Sequence, residues 1–152
     1  MHNPACPLCA PDDTQHLIWR NDQLRVIAVN STEFPGYTRV IWHQHVAEMT
    51  DLDKAARQHI MEAVWAVETM MRQWLAPSKV NLAQFGNQVP HLHWHVIPRW
   101  QQDTHFPEAI WATAPVRSEQ QQQQWSAMKA HKENLLPAYH EALRLALDAL
   151  RF

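Results

Sequence analysis

The segment NQVPHLHWHVIPRW, residues 87–100, sets histidines at 91, 93 and 95 with one apolar residue between neighbours. In a strand, residues i, i+2 and i+4 share a face. The spacing therefore predicts a strand over 91–97, with His91, His93 and His95 on one side. Leu92, Trp94 and Val96 then turn into a core. Two chemistries suit such a row. Neutral imidazole is a common metal ligand. At a rise of ~3.3 Å per residue, however, the outer two Cα atoms stand about 13 Å apart. An ion that holds ligands at about 2 Å takes a neighbouring pair from a regular strand rather than all three. The second chemistry is nucleophilic and acid–base catalysis, in which one neutral ring attacks an electrophile and its neighbour serves the leaving group. Backbone positions ~6.6 Å apart let two ring tips reach two sides of one phosphorus centre. Catalysis accounts for all three rings, a metal for two at most. An edge strand whose polar face merely happens to be histidine is the bland alternative, and strict alternation weighs against it.

The elements that must position these rings are legible in the pattern. LRVIAVN (24–30) and TRVIWH (38–43) read as strands joined through a turn at FPG (34–36), and a shorter strand fits HLIWR (16–20). KVNLAQF (79–85) precedes the histidine strand, with Gly86 and Pro90 bracketing the connection. Between the second and third of these segments, Leu52, Ala56, Ile60, Val64, Val67, Met71 and Trp74 recur every three or four residues. That is one long amphipathic helix, with Thr50 as its expected cap, Asp51 and Asp53 in the first turn and Pro77 past its end. Trp65 and Trp74 are expected in the core, and Trp42 and Trp100 are candidates for lining a base pocket. After Arg99 comes a loop with large apolar anchors. From Ser118 the chain reads as two helices, Pro137 opening the second and the glutamine run forming a solvated face. The fold class is α+β: a small antiparallel sheet of about five strands, one long helix packed on it and a helical C-terminal extension.

Composition bounds the partners. The chain has 152 residues, 46% hydrophobic and 18% charged, and a formal charge of -2, so nucleic acid and anionic membrane are not the expected partners. Eleven histidines and eight tryptophans point to a site rich in imidazole and aromatic faces. No apolar run is long enough to span a bilayer, and the start, MHNPACPLCAPDD, lacks a basic leader and an apolar run. With Cys6 and Cys9 the only cysteines, the expectation is a cytoplasmic protein with reduced thiols.

HLHWHVIPR resembles the signature of the histidine-triad (HIT) family, and the resemblance runs over roughly residues 5–100. It takes in CPLC, PGYTRVIWHQHVAEMTDL, the long helix, VNLAQFGNQVPH and the triad. The wording FGNQVPHLHWHVIPRW looks closest to a proteobacterial branch. The resemblance implies a HIT domain over 1–105 with a helical extension over 106–152 packed on it. It implies a nucleotide hydrolase or nucleotidyl transferase acting on a dinucleoside polyphosphate or a nucleoside phosphoramidate. It further implies a purine nucleotide or nucleotide conjugate as ligand, a homodimer, and no metal needed for catalysis. By motif position, His93 is implied as the nucleophile that forms a nucleotidyl-histidine intermediate. His95 would face the scissile bridging atom, and His91 would orient the site. Asn81 and Gln88 fall where relatives place polar groups around the phosphate, Gln88 standing where serine or threonine is commoner. Backbone amides near Gly86 and Asn87 are candidate donors to phosphate oxygens, and a carbonyl around His95 would fix the tautomer.

Two departures bear on this. Relatives often carry a histidine after the glycine of the PG turn, supporting the first triad ring; here the residue is Tyr37, with His43 or His45 as candidate substitutes. Some relatives hold a structural zinc, and the matching positions are Cys6, Cys9, His45 and His91, a Cys₂His₂ set. A lone C-x-x-C is also compatible with two free thiols in an N-terminal arm. Arg99 fits either a phosphate contact or a structural ion pair. Two further readings follow: a nucleotide-binding or adaptor module without turnover, and a zinc-stabilised protein whose histidines serve mainly as ligands.

Overall fold

A computed structural model describes residues 3–9 and 16–150. Five strands form one antiparallel sheet: β1 (His16–Arg20), β2 (Leu24–Ala28), β3 (Thr38–Trp42), β4 (Lys79–Ala83) and β5 (His93–Arg99), in the order β1-β2-β3-β5-β4. The β-branched run of β3 lies at the centre, paired with β2 on one side and β5 on the other. The α+β architecture read from the sequence is the one observed.

Helix α1 (Lys54–Leu75) covers one sheet face through Ile60, Ala63, Val64, Val67, Met71 and Leu75. These pack with Val26, Val40 and Val96 in the main buried cluster. The expected cap at Thr50 is not the observed one. Thr50 lies in a short 3₁₀ turn (Met49–Asp51), and Asp53 caps α1 by accepting from the Ala56 amide at 2.8 Å. Nor are Trp65 and Trp74 core residues, being 44% and 41% exposed. The buried stripe continues from Met71 to Leu75, four residues on, and Trp65 stands about 100° from it, one position after Val64. Gly36 takes φ +87°, and a Cβ there would strike the side chain of Leu75. The turn entering β3 is thereby seated against the end of α1.

The C-terminal segment is one helix, α2 (Glu119–Asp148), not two. Pro137 sits inside it. The lost hydrogen bond falls on a solvent-facing stretch, since Glu133 and Pro137 are both exposed and water can satisfy the freed carbonyl. Burial of Trp125 on one side of the proline and of Tyr139, Leu143 and Leu147 on the other keeps the helix continuous through it. Ser118 and Gln121 form its capping box, and the glutamine run is exposed, as a solvated face requires. Trp19 of β1 donates to Asp148 at 2.8 Å, tying the end of α2 to the sheet edge. Among the described residues, no helix is long and apolar enough to cross a membrane.

Candidate active site and an adjoining metal-ligand cluster

The face opposite α1 carries the imidazoles, but not as a single row. β5 begins at His93, where the ladder with β3 ends in the pair Ile41–His93. His91 lies before the strand. Its amide donates to Val89 O and the next amide to Val46 O, and its ring meets Cys6, which packs on Ile41, the register partner of His93. His93 and His95 lie within the strand, with ring centroids 4.7 Å apart.

Hydrogen bonds fix which nitrogen of each ring carries the proton. His93 Nδ1 lies 2.6 Å from the carbonyl oxygen of His91. A carbonyl only accepts, so Nδ1 holds the proton and Nε2 keeps its lone pair. The carbonyl expected from around His95 is thus supplied two residues earlier. His95 Nδ1 is hydrogen-bonded to the Tyr37 hydroxyl. Burial pushes the Tyr37 pKa up against the pull of the neighbouring Arg39 guanidinium, so the phenol stays protonated. A protonated phenol that donates to His95 Nδ1 leaves that ring's proton on Nε2. Burial drives the pKa of His93 below the ordinary value against the opposing pull of the His91 carbonyl, and Arg39 lowers it further. For His95, burial, His93 and Arg39 together push the value down to about 3. With the phenol as donor, two neutral rings present complementary tips, a lone pair on His93 and an N–H on His95.

Tyr37 thus supports the last ring of the triad rather than the first. Of the two candidate substitutes beside the first ring, His43 Nδ1 is instead 3.2 Å from Asp22 O, whereas His45 Nδ1 lies 3.3 Å from His91 Nδ1, in the thiol cluster described below. Arg99 resolves as a structural cation. It is 2% exposed, bridges Asp103 at 2.8 Å and donates to Asn81 Oδ1 at 3.0 Å. Asn81, opposite Ile97 in register, stands on the imidazole face with its carbonyl oriented by Arg99. Gly86, at φ +72°, turns the connection between β4 and β5, on which Asn87 and Gln88 are exposed. Among the described residues, no hydrogen bond joins Asn87 or Gln88 to the rings. Trp42 and Trp100 are 4% and 3% exposed and belong to the core, so neither lines a base pocket. The aromatic neighbours of His95 are instead Phe85 and Trp111, at centroid distances of 6.1 and 5.4 Å. No local spacing marks either one. Trp111 arrives from the loop after β5, and Phe85 lies two residues beyond Ala83, the β4 partner of His95.

His91 faces a different chemistry. Its Nδ1 lies 3.5 Å from Cys6 Sγ, 3.4 Å from Cys9 Sγ and 3.3 Å from His45 Nδ1, and Cys9 Sγ is 3.4 Å from His45 Nδ1. The four ligand atoms all fall within 4.8 Å of one another. A tetrahedral ion with bonds of about 2.3 Å to sulfur and about 2.05 Å to nitrogen would set S···N near ~3.6 Å and N···N near ~3.3 Å. The cluster matches that spacing and can hold a metal. The far nitrogen of His91, Nε2, donates to Trp42 O at 2.6 Å, which presents Nδ1 as the ligating atom. The ring and the backbone of His91 thereby do separate things: one joins the thiol cluster, the other holds the His93 ring.

The model of the HIT domain family matches residues 11–102. The chain belongs to the HIT family. No curated protein matches it. Among solved structures, a histidine triad protein from Bradyrhizobium japonicum superposes with a TM-score of 0.60 at 21% identity, over 78% of this chain and 90% of the other. One from Marinobacter aquaeolei VT8 gives 0.58 at 24%, over 82% and 90%. A hypothetical histidine triad nucleotide-binding protein from Sulfolobus tokodaii gives 0.54 at 14%, over 88% and 84%. These likenesses establish the HIT fold.

Proposed function

We propose that this HIT protein is a nucleotide hydrolase or nucleotidyl transferase that works through a covalent nucleotidyl-His93 intermediate. The observation that carries the reading is the bond from His93 Nδ1 to the His91 carbonyl, which leaves the Nε2 lone pair free beside a second neutral ring. In the first step Nε2 attacks the phosphorus next to the nucleoside, a P–N bond forms and the bond to the leaving group breaks. The attacking ring becomes a cation, its Nδ1 proton held by the carbonyl. His95 Nε2–H donates a hydrogen bond to the departing atom, stabilising its developing charge. Water then attacks phosphorus, the P–N bond breaks, His93 returns neutral, and a nucleoside monophosphate and a proton are released. Asn81 keeps its amide donors for a phosphate oxygen while Arg99 occupies its carbonyl. Backbone amides near Gly86 and Asn87 remain candidates for the same role, with Gln88 beside them. The Sulfolobus protein, which is described as nucleotide-binding, supports the ligand class. The decisive test is rapid quenching of the protein with a dinucleoside polyphosphate, followed by intact mass and peptide mapping. One nucleotidyl group on His93 is expected; turnover with an unmodified His93 would refute the intermediate.

Tyr37→Phe separates a catalytic geometry from a binding module. The variant loses the donor that keeps the His95 proton on Nε2. We expect kcat to fall about tenfold with KM little changed, the size of one lost hydrogen bond in the transition state. An unaltered kcat would mean that the hydroxyl does not set the tautomer.

We also propose that the Cys6, Cys9, His45 and His91 cluster holds a structural zinc, and that the protein is a homodimer. For the dimer, β4 is an edge strand, and Leu82 on it, with Trp65 and Trp74 on α1, leaves large apolar side chains exposed. Trp74→Glu should weaken self-association at least tenfold by analytical ultracentrifugation. A monomeric wild type at micromolar concentration would refute the dimer.

A further inference from the structure

Phe85 and Trp111 contribute little to holding the molecule together. Each is 52% exposed, and neither belongs to a buried cluster. They meet edge to face, with centroids 4.9 Å apart and planes at 89°. Both rings also contact His95, whereas among the described residues neither has a ring contact with His93. The pair therefore lies on the β4 side of His95, away from Tyr37 and Arg39, which approach from β3. Two large half-wet aromatic rings beside one catalytic ring, and only that one, are placed where the departing group travels.

We propose that Phe85 and Trp111 form a stacking subsite for an aromatic ring carried by the leaving group, so that the preferred substrate is a dinucleoside polyphosphate whose second base stacks there. The assignment rests on the reading of His93 as nucleophile and His95 as the leaving-group ring. A second feature points the same way. A neutral His95 with its proton on Nε2 offers the departing atom a hydrogen bond rather than a full proton transfer. That suits a phosphate oxygen leaving as an anion better than an amine, which must be protonated to leave. Base–aromatic stacking is sequence-tolerant and worth ~1–3 kcal/mol per base by alanine substitution, or about 5-fold to 100-fold in affinity.

The experiment compares two substrates with the same transferred nucleotide. Diadenosine tetraphosphate would release adenosine triphosphate, and adenosine 5′-tetraphosphate would release inorganic triphosphate, which has no ring. Trp111→Ala and Phe85→Ala should each lower kcat/KM for the dinucleotide about 5-fold to 100-fold and leave the mononucleotide within about twofold. Trp111→Phe should restore most of the loss. Equal losses on both substrates, or none on either, would overturn the subsite. So would a change of oligomeric state in the variants, which would show that a second copy covers the rings. Calorimetric binding of adenosine triphosphate against inorganic triphosphate reads the subsite without turnover. Preference for the former that vanishes in Trp111→Ala supports the proposal even if His93 proves not to be the nucleophile; equal binding in wild type defeats it.

Discussion

His93→Ala is expected to reduce kcat on the order of 10⁴-fold or more, while substrate affinity stays within a fewfold of wild type. The magnitude follows from what the ring does. Loss of a covalent nucleophile removes the two-step route altogether, leaving only positioning and electrostatic stabilisation. Little else in the site can take over. His95 has its Nδ1 engaged by Tyr37 and its proton on Nε2, so it presents no lone pair to phosphorus. His91 faces the thiols with one nitrogen and Trp42 O with the other. Affinity should survive, because Arg99 orients Asn81 independently of His93 and the fold around β5 is held by Val96 and Ile97. His95→Ala should behave differently, with a loss that grows as the leaving group becomes more basic, since its hydrogen bond matters most to a poor leaving group. Steady-state kinetics on both variants, with far-ultraviolet circular dichroism to confirm folding, checks the pair. Wild-type-like turnover in folded His93→Ala would end the covalent reading.

What the sequence made legible, and what it did not, divides along physical lines. Period-two and period-3.6 patterns located the five strands and α1, because burial of one face constrains residue type locally. The two-way alternation of the triad correctly set His93 and His95 against Trp94 and Val96. Leu92 also turns into the core as expected, but the strand begins two residues later than the alternation suggests, because regular β3 pairing starts at His93 and leaves His91 in the preceding turn. Pro137 read as a helix start since the cost of an interior proline is local, whereas the burial of Trp125 and Tyr139 that outweighs it is tertiary. The same holds for tryptophan: Trp42 and Trp100 at strand ends turned inward, while Trp65 and Trp74 on the helix stayed exposed. Tyr37 was visible as a departure, yet its partner was not, because the hydroxyl reaches His95 across 58 residues of chain. Phe85 and Trp111 carried no signal at all, being brought to His95 only by the fold.

Removal of the proposed zinc should cost both stability and catalysis, through one residue. Cys6 and Leu8 pack on Ile27 and Ile41, so the cluster fastens the N-terminal segment onto the imidazole face itself. Ile41 is also the register partner of His93. Cys6, Cys9, His45 and His91 would hold the zinc, which would then fix the His91 ring at Nδ1 while Trp42 O fixes it at Nε2. The His91 carbonyl is the acceptor that keeps the His93 proton on Nδ1. Protein purified without chelator should carry about one zinc per chain by native mass spectrometry. Stripping it, or Cys6→Ser, should remove several kcal/mol of folding free energy, lowering Tm by roughly 10 °C for a chain of this size. Looser placement of His91 should then cost about tenfold in kcat even well below the melting transition, the size of a lost outer-shell contact. Cys9→Ser, which also removes a thiolate, should do the same, whereas Trp74→Glu should leave the zinc in place. If the purified protein holds no metal and chelator shifts neither Tm nor kcat, the cluster is only two thiols beside two histidines. The nucleophilic ring would then be aligned by the protein chain alone.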